Sequence, residues 1–158
     1  MKLKIALAAA SMLVAPALMT AQAQEANVYV SGGYTQFDGQ GANLGAVQGR
    51  VGVGFGKHFA VEGEAAVGVK DDSGVELDNE IGIFGVAKLP LSPSFDIFGR
   101  VGVSRIETSP GGDEDGLAYG AGGQWNVTEK DGIRADWTRH DYDAGEADAY
   151  AVSYVRKF

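Results

Sequence analysis

Beyond its first two dozen positions, the chain alternates apolar and polar residues with a period of two, and no convincing helical period of 3.6 competes with it. Eight such segments follow one another, covering 27–37, 44–56, 60–70, 77–89, 95–106, 117–127, 132–142 and 148–158, with turn chemistry between them. In the second, Val47, Val51, Val53 and Phe55 oppose Gln48 and Arg50. In the third, Val61, Ala65, Val67 and Val69 oppose Glu62 and Glu64. The last places Tyr150, Val152, Tyr154, Arg156 and Phe158 on one face, and Ala149, Ala151, Ser153, Val155 and Lys157 on the other. The pattern predicts an all-β fold of eight antiparallel, up-and-down strands.

The connections differ by parity. Those after the odd strands are acidic (Asp71, Asp72 and Glu76; Glu107 with Asp113, Glu114 and Asp115; Asp143 and Glu146) and read as comparatively long. Those after the even strands are tight or carry proline: Lys57-His58-Phe59, 90–94 and 128–131. A sandwich has no reason to sort its turns this way. An outer-membrane barrel has short periplasmic turns and longer external loops, and a chain starting in the periplasm puts every acidic connection outside. Tyr34, Phe55, Phe95, Tyr119, Trp125, Tyr150, Tyr154 and Phe158 lie mostly near strand ends on the apolar face, where aromatic girdles sit at a bilayer interface. Together these features favour a transmembrane β-barrel over a soluble, lipocalin-like one, in which the apolar faces would point inward.

The N-terminus changes what counts as the folded domain. Lys2 and Lys4 precede a run of apolar and small residues that ends at the small-x-small sequence Ala21-Gln22-Ala23. That is the form of a cleavable signal peptide, 1–23, leaving a barrel domain of 24–158. The leader carries two basic residues and no acidic one, so cleavage moves the formal charge from −8 to −10. Such a balance excludes nucleic acid as a partner, because phosphate binding needs clustered Lys and Arg. The absence of cysteine excludes a disulfide-stapled module. Glycine, at 24 residues, falls inside the apolar runs, as in 51–56, which suits the curvature and narrow lumen of a small barrel.

The runs 120–127, 132–137 and 151–158 resemble the OmpA-like outer membrane protein beta-barrel domain family, small porin-family proteins of eight strands. Arg134, Asp136 and Trp137 match the Arg-x-acid-aromatic run typical of that family's penultimate strand. The resemblance implies that Tyr150, Val152, Tyr154 and Phe158 form the signal read by the barrel-insertion machinery. Arg156 departs from the pattern, since an aromatic or apolar residue is usual there; an arginine near the interface can snorkel, so tolerance is expected.

A lipid-facing apolar surface leaves Arg50, Glu62, Glu64, Glu80, Lys88, Asp96, Arg100, Arg134 and Asp136 pointing into the lumen. An eight-stranded barrel is just wide enough for side chains to fill, so a salt-bridged plug is expected rather than an ion path. A structural or surface-interaction role follows, with the membrane's lipids and lipopolysaccharide as neighbours, a monomeric state and no cofactor. The alternatives are a narrow, low-conductance porin and a lipid-modifying enzyme. His140 has Asp141 and Asp143 beside it but no serine at the local spacing expected of lipid A deacylase barrels, so no catalytic set is assigned. Asp113-Glu114-Asp115-Gly116 lacks calcium-loop spacing, which leaves at most loose divalent-cation bridging to lipopolysaccharide. The row Gly52-x-Gly54-x-Gly56-Lys57 lacks P-loop spacing and reads as lumen-facing glycines.

Overall fold

Period-two alternation gives every strand one face for a lumen and one for lipid. The computed structural model describes residues 27–39, 41–71, 74, 76–109, 112–143 and 145–158; the expected leader lies outside the described residues. Eight strands form: β1 (Asn27–Gly39), β2 (Ala42–Phe55), β3 (Phe59–Lys70), β4 (Glu76–Ser92), β5 (Phe95–Ser109), β6 (Gly112–Asn126), β7 (Asp131–Tyr142) and β8 (Gly145–Lys157). Each pairs antiparallel with its neighbour in sequence, and β1 closes on β8 from Tyr29↔Lys157 to Asp38↔Asp148. Closure leaves no strand edge with unpaired backbone groups, a necessity in hydrocarbon. At the end that carries both termini, the amide of Phe158 donates to the Val28 carbonyl (2.9 Å) and that of Lys157 to the Lys130 carbonyl (2.7 Å).

The connections at the opposite, acidic end are not long, which corrects the sequence reading. Only residues 40–41, 110–111 and 143–144 separate three of the four strand pairs there, and 71–75 the fourth; the other end uses 56–58, 93–94 and 127–130. Of the acidic residues read as loop, Glu76, Glu107, Asp113, Glu114, Asp115 and Glu146 belong to strands, with Glu107 paired to Asp113, Ile106 to Glu114 and Arg105 to Asp115, whereas Asp71 and Asp143 do lie in connections. Beyond lipid a strand can be wet on both faces while its backbone ladder persists, so polarity there does not mark a loop. The excess of acidic over basic charge at that end stands, since Asp96, Glu129 and Asp131 at the terminal end are matched by Lys57, Lys130, Arg156 and Lys157; the difference in loop length does not. Pro90 likewise lies within β4, at a register irregularity opposite Asp96, where a ladder donor is dispensable.

The outer wall carries a band of exposed apolar side chains, as a lipid-facing surface requires. Val51, Val67, Ile81, Ile97, Val101 and Val152 are among its exposed residues. Phe55, Phe59, Phe95, Trp125 and Phe158 ring the terminal edge of the band, and Tyr34, Tyr119 and Tyr150 stand toward its other edge. Gly52 and Gly54 are buried on the wall as expected, whereas Gly56 sits in the turn at φ 69°, a left-handed conformation that favours glycine.

Candidate functional site: the lumen

Alternation aims the polar positions of β2, β3, β5 and β7 at one another across a narrow interior. Arg50, Glu62, Glu64, Arg100, Arg134 and Asp136 meet there, each at most 7% exposed. The Arg50 guanidinium forks onto Asp136, Nη1 to Oδ1 at 2.8 Å and Nη2 to Oδ2 at 2.9 Å, while its Nε donates to Glu64, its register partner on β3. Arg134 forks onto Glu62 at 2.5 and 3.2 Å. Arg100 stands between the two pairs, 3.0 Å from Glu64, 3.5 Å from Asp136 and 3.8 Å from Glu62, and donates to Thr138 Oγ1 at 3.3 Å. Three guanidinium groups thus face three carboxylates, and the layer is neutral. Bidentate geometry of this kind is what allows buried charges to offset their desolvation.

Aromatic rings line the same layer. Phe84 lies under the Arg100 guanidinium at 3.6 Å and Phe98 under that of Arg134 at 3.9 Å. The Tyr29 hydroxyl donates to Glu62 at 2.7 Å. Apolar clusters close the layer on both sides. Toward the terminal end, Tyr29, Ala60, Val86, Phe98 and Val155 pack together. Toward the acidic end, Phe37, Leu44, Leu77, Ile106, Tyr142, Ala46, Ala66 and Ala149 do the same. The interior is therefore layered, apolar over ionic over apolar, rather than uniformly polar.

The remaining inward charges fall outside the ionic layer. Glu80 is 1% exposed, yet its Oε1 has no hydrogen-bond partner among the described residues. Lys88 is half-buried and lies 4.2 Å above the Tyr29 ring. Asp96, near the terminal end, accepts from Asn126 Nδ2 at 3.0 Å. Residue type alone does not mark Tyr29 or these phenylalanines as lumen residues, because an aromatic side chain suits the lipid face equally well, but for the phenylalanines phase does. Phe84 is in step with Glu80 and Lys88, and Phe98 lies between Asp96 and Arg100 at the same parity.

The fold does bring a serine to His140, from β5 rather than from nearby sequence. Ser104 Oγ lies 2.9 Å from His140 Nδ1, and the Tyr142 hydroxyl is 3.1 Å from the same nitrogen. Both Ser104 and His140 are 1% exposed, under the acidic-end apolar cluster, so neither faces lipid. His58 is in the turn at the other end, with Nδ1 3.2 Å from the Lys88 carbonyl.

On the outer wall, Tyr150, Val152, Tyr154 and Phe158 are all exposed, in the row expected from the sequence. Arg156 shares that row, and its Nη1 lies 2.6 Å from Asp131 Oδ1. In the Arg-x-acid-aromatic run, Arg134 and Asp136 point inward, while the Trp137 indole N–H donates to Asp148 at 3.0 Å and Arg139 forks onto the same carboxylate.

Known structures share this architecture. The attachment invasion locus protein Ail of Yersinia pestis is 18% identical, with a TM-score of 0.63 over 85% of this chain and 99% of its own. The N-terminal β-barrel domain of Pseudomonas aeruginosa OprF is 15% identical, with a TM-score of 0.66 over 84% and 97%. Neisserial surface protein A is 15% identical, with a TM-score of 0.61 over 84% and 97%. No curated protein matches the sequence significantly. The model of the outer membrane protein beta-barrel domain matches residues 5–158, nearly the whole sequence, and the chain belongs to that family.

Proposed function

We propose that the protein is a structural and surface-interaction barrel of the Gram-negative outer membrane, and that its lumen is plugged rather than conducting. One observation carries this reading: a neutral layer of forked Arg–carboxylate pairs sits between two apolar clusters inside the barrel. An ion crossing it would shed water against hydrocarbon twice and break buried pairs between, each step costing several kcal/mol at about the scale of burying an unpaired charge. Planar-bilayer recordings of the purified protein test this. A flat current across the voltage range is expected, and reproducible, ion-selective steps would instead assign a narrow porin.

The leader, 1–23, would direct export, and the exposed row Tyr150, Val152, Tyr154 and Phe158 would present the last strand to the insertion machinery. With the termini in the periplasm, the acidic end faces outward. Asp38, Asp71, Asp113, Asp141, Asp143 and Glu146 stand there and outnumber the basic residues of that end, Lys70, Arg105 and Arg139, the last of which lies 3.7 Å from Glu146. Ail has been crystallised with the heparin analogue sucrose octasulfate. An acidic end opposes such a polyanion, so the partner taken here is cationic, or a lipopolysaccharide phosphate bridged by a divalent cation. The protein acts as a monomer and without catalysis, because Ser104 and His140 are sealed from any lipid substrate. Mass spectrometry of lipid A with and without the protein checks that last point, and an unchanged spectrum is expected.

A further inference from the structure

At the terminal end, the outward row of β8 carries a residue unsuited to lipid, Arg156, and its counter-charge comes from one side only. Its ladder partner on β1 is Val30, and its partner on β7 is Asp131. The Asp131 carboxylate accepts from Arg156 Nη1 (2.6 Å), from the Tyr154 hydroxyl and from Thr128 Oγ1 (2.8 Å). Thr128 Oγ1 in turn accepts the Asp131 amide at 2.9 Å, which fixes the start of β7. The Lys157 amide binds the Lys130 carbonyl in the same turn. Arg156 and Lys157 are thus held by the start of β7 and the turn before it, while β1 offers backbone pairing, including the Val28 carbonyl for the Phe158 amide, and an apolar neighbour.

We propose that Asp131, Tyr154 and Arg156 form a register latch for the β7–β8 hairpin, completed before the barrel closes. Only residues 143–144 separate β7 from β8, so this pairing is local and closes at low entropic cost. Pairing of β8 with β1 joins the two ends of the domain and is the least local contact in the fold. An unlatched β8 presents an uncompensated guanidinium to the bilayer; the latched hairpin presents a neutral pair. A slip of one residue would turn Arg156 into the lumen and Val155 out, and a slip of two would put an uncharged side chain opposite Asp131. The latch therefore selects the register that the rest of the barrel requires.

Charge reversal tests this. Asp131→Arg, Arg156→Asp and the double swap are refolded from urea into dilauroylphosphatidylcholine vesicles, and insertion is followed by the heat-dependent gel shift. Each single reversal is expected to slow insertion about three- to tenfold while leaving the unfolding rate within about twofold, the signature of a contact already made in the transition state. The double swap restores the insertion rate. If a single variant does not insert at all, recovery in the double variant still supports the latch, and no recovery overturns it. Unchanged insertion rates with faster unfolding would also overturn it, because the contact would then form after closure.

Discussion

Glu64 and Glu80 point into the same lumen and are buried to similar degree, at 7% and 1% exposure, yet their surroundings are opposite. Glu64 faces Arg50 across the β2–β3 ladder and also receives Arg100 at 3.0 Å. Glu80 has Ala66 and Ile106 as ladder neighbours, beside the acidic-end apolar cluster, and its Oε1 is without a hydrogen-bond partner among the described residues. Alternation fixes that a side chain enters the lumen. The level at which it enters fixes whether it meets a partner. The first carboxylate is part of a neutral salt-bridged layer, and the second is a polar group set against hydrocarbon.

The comparison can be broken from its stronger side first. Asp136→Ala removes the fork that holds Arg50 and leaves buried guanidinium groups uncompensated. It is expected to destabilise the barrel by about 3–5 kcal/mol, read as a fall in the urea midpoint in detergent micelles. Phe84→Ala deletes a fully buried ring beneath Arg100 and should cost about 3 kcal/mol in the same assay. Leu77→Ala opens the acidic-end cluster and should cost about 2 kcal/mol, with no change in the ionic layer. Glu80→Gln keeps the shape of a carboxyl group whose ladder partners, Ala66 and Ile106, are uncharged, so the urea midpoint should stay within the equivalent of about 0.5 kcal/mol or rise. Were Glu80→Gln as costly as Glu64→Gln, the distinction between the two levels would be lost.

Much of the barrel was legible in the sequence because lipid and lumen impose opposite chemistry on alternate residues. Strand number, order and the outward rows could be read from parity alone. The acidic connections misled, since Glu107 and Asp113 are cross-strand partners and not loop residues; outside the bilayer, a strand has no apolar face to reveal it. Within the lumen, parity marks the charges as inward but does not encode their grouping. Whether Lys88 joins Arg100 or stands apart over Tyr29 depends on strand stagger, which residue type does not encode. Phe84 and Phe98 were hidden for a different reason: a phenylalanine satisfies the rule for the lipid face as well as it satisfies a cation–π contact inside.

The account rests on lumen charges acting as paired structural elements, and a double-mutant cycle on Arg50 and Asp136 measures that pairing most directly. The single variants Arg50→Met and Asp136→Ala and their combination are unfolded in urea under one set of conditions. A coupling free energy of about 1.5 kcal/mol or more is predicted for a close, buried, forked pair. Additivity within about 0.3 kcal/mol would mean the two charges act independently, and would contradict the plug.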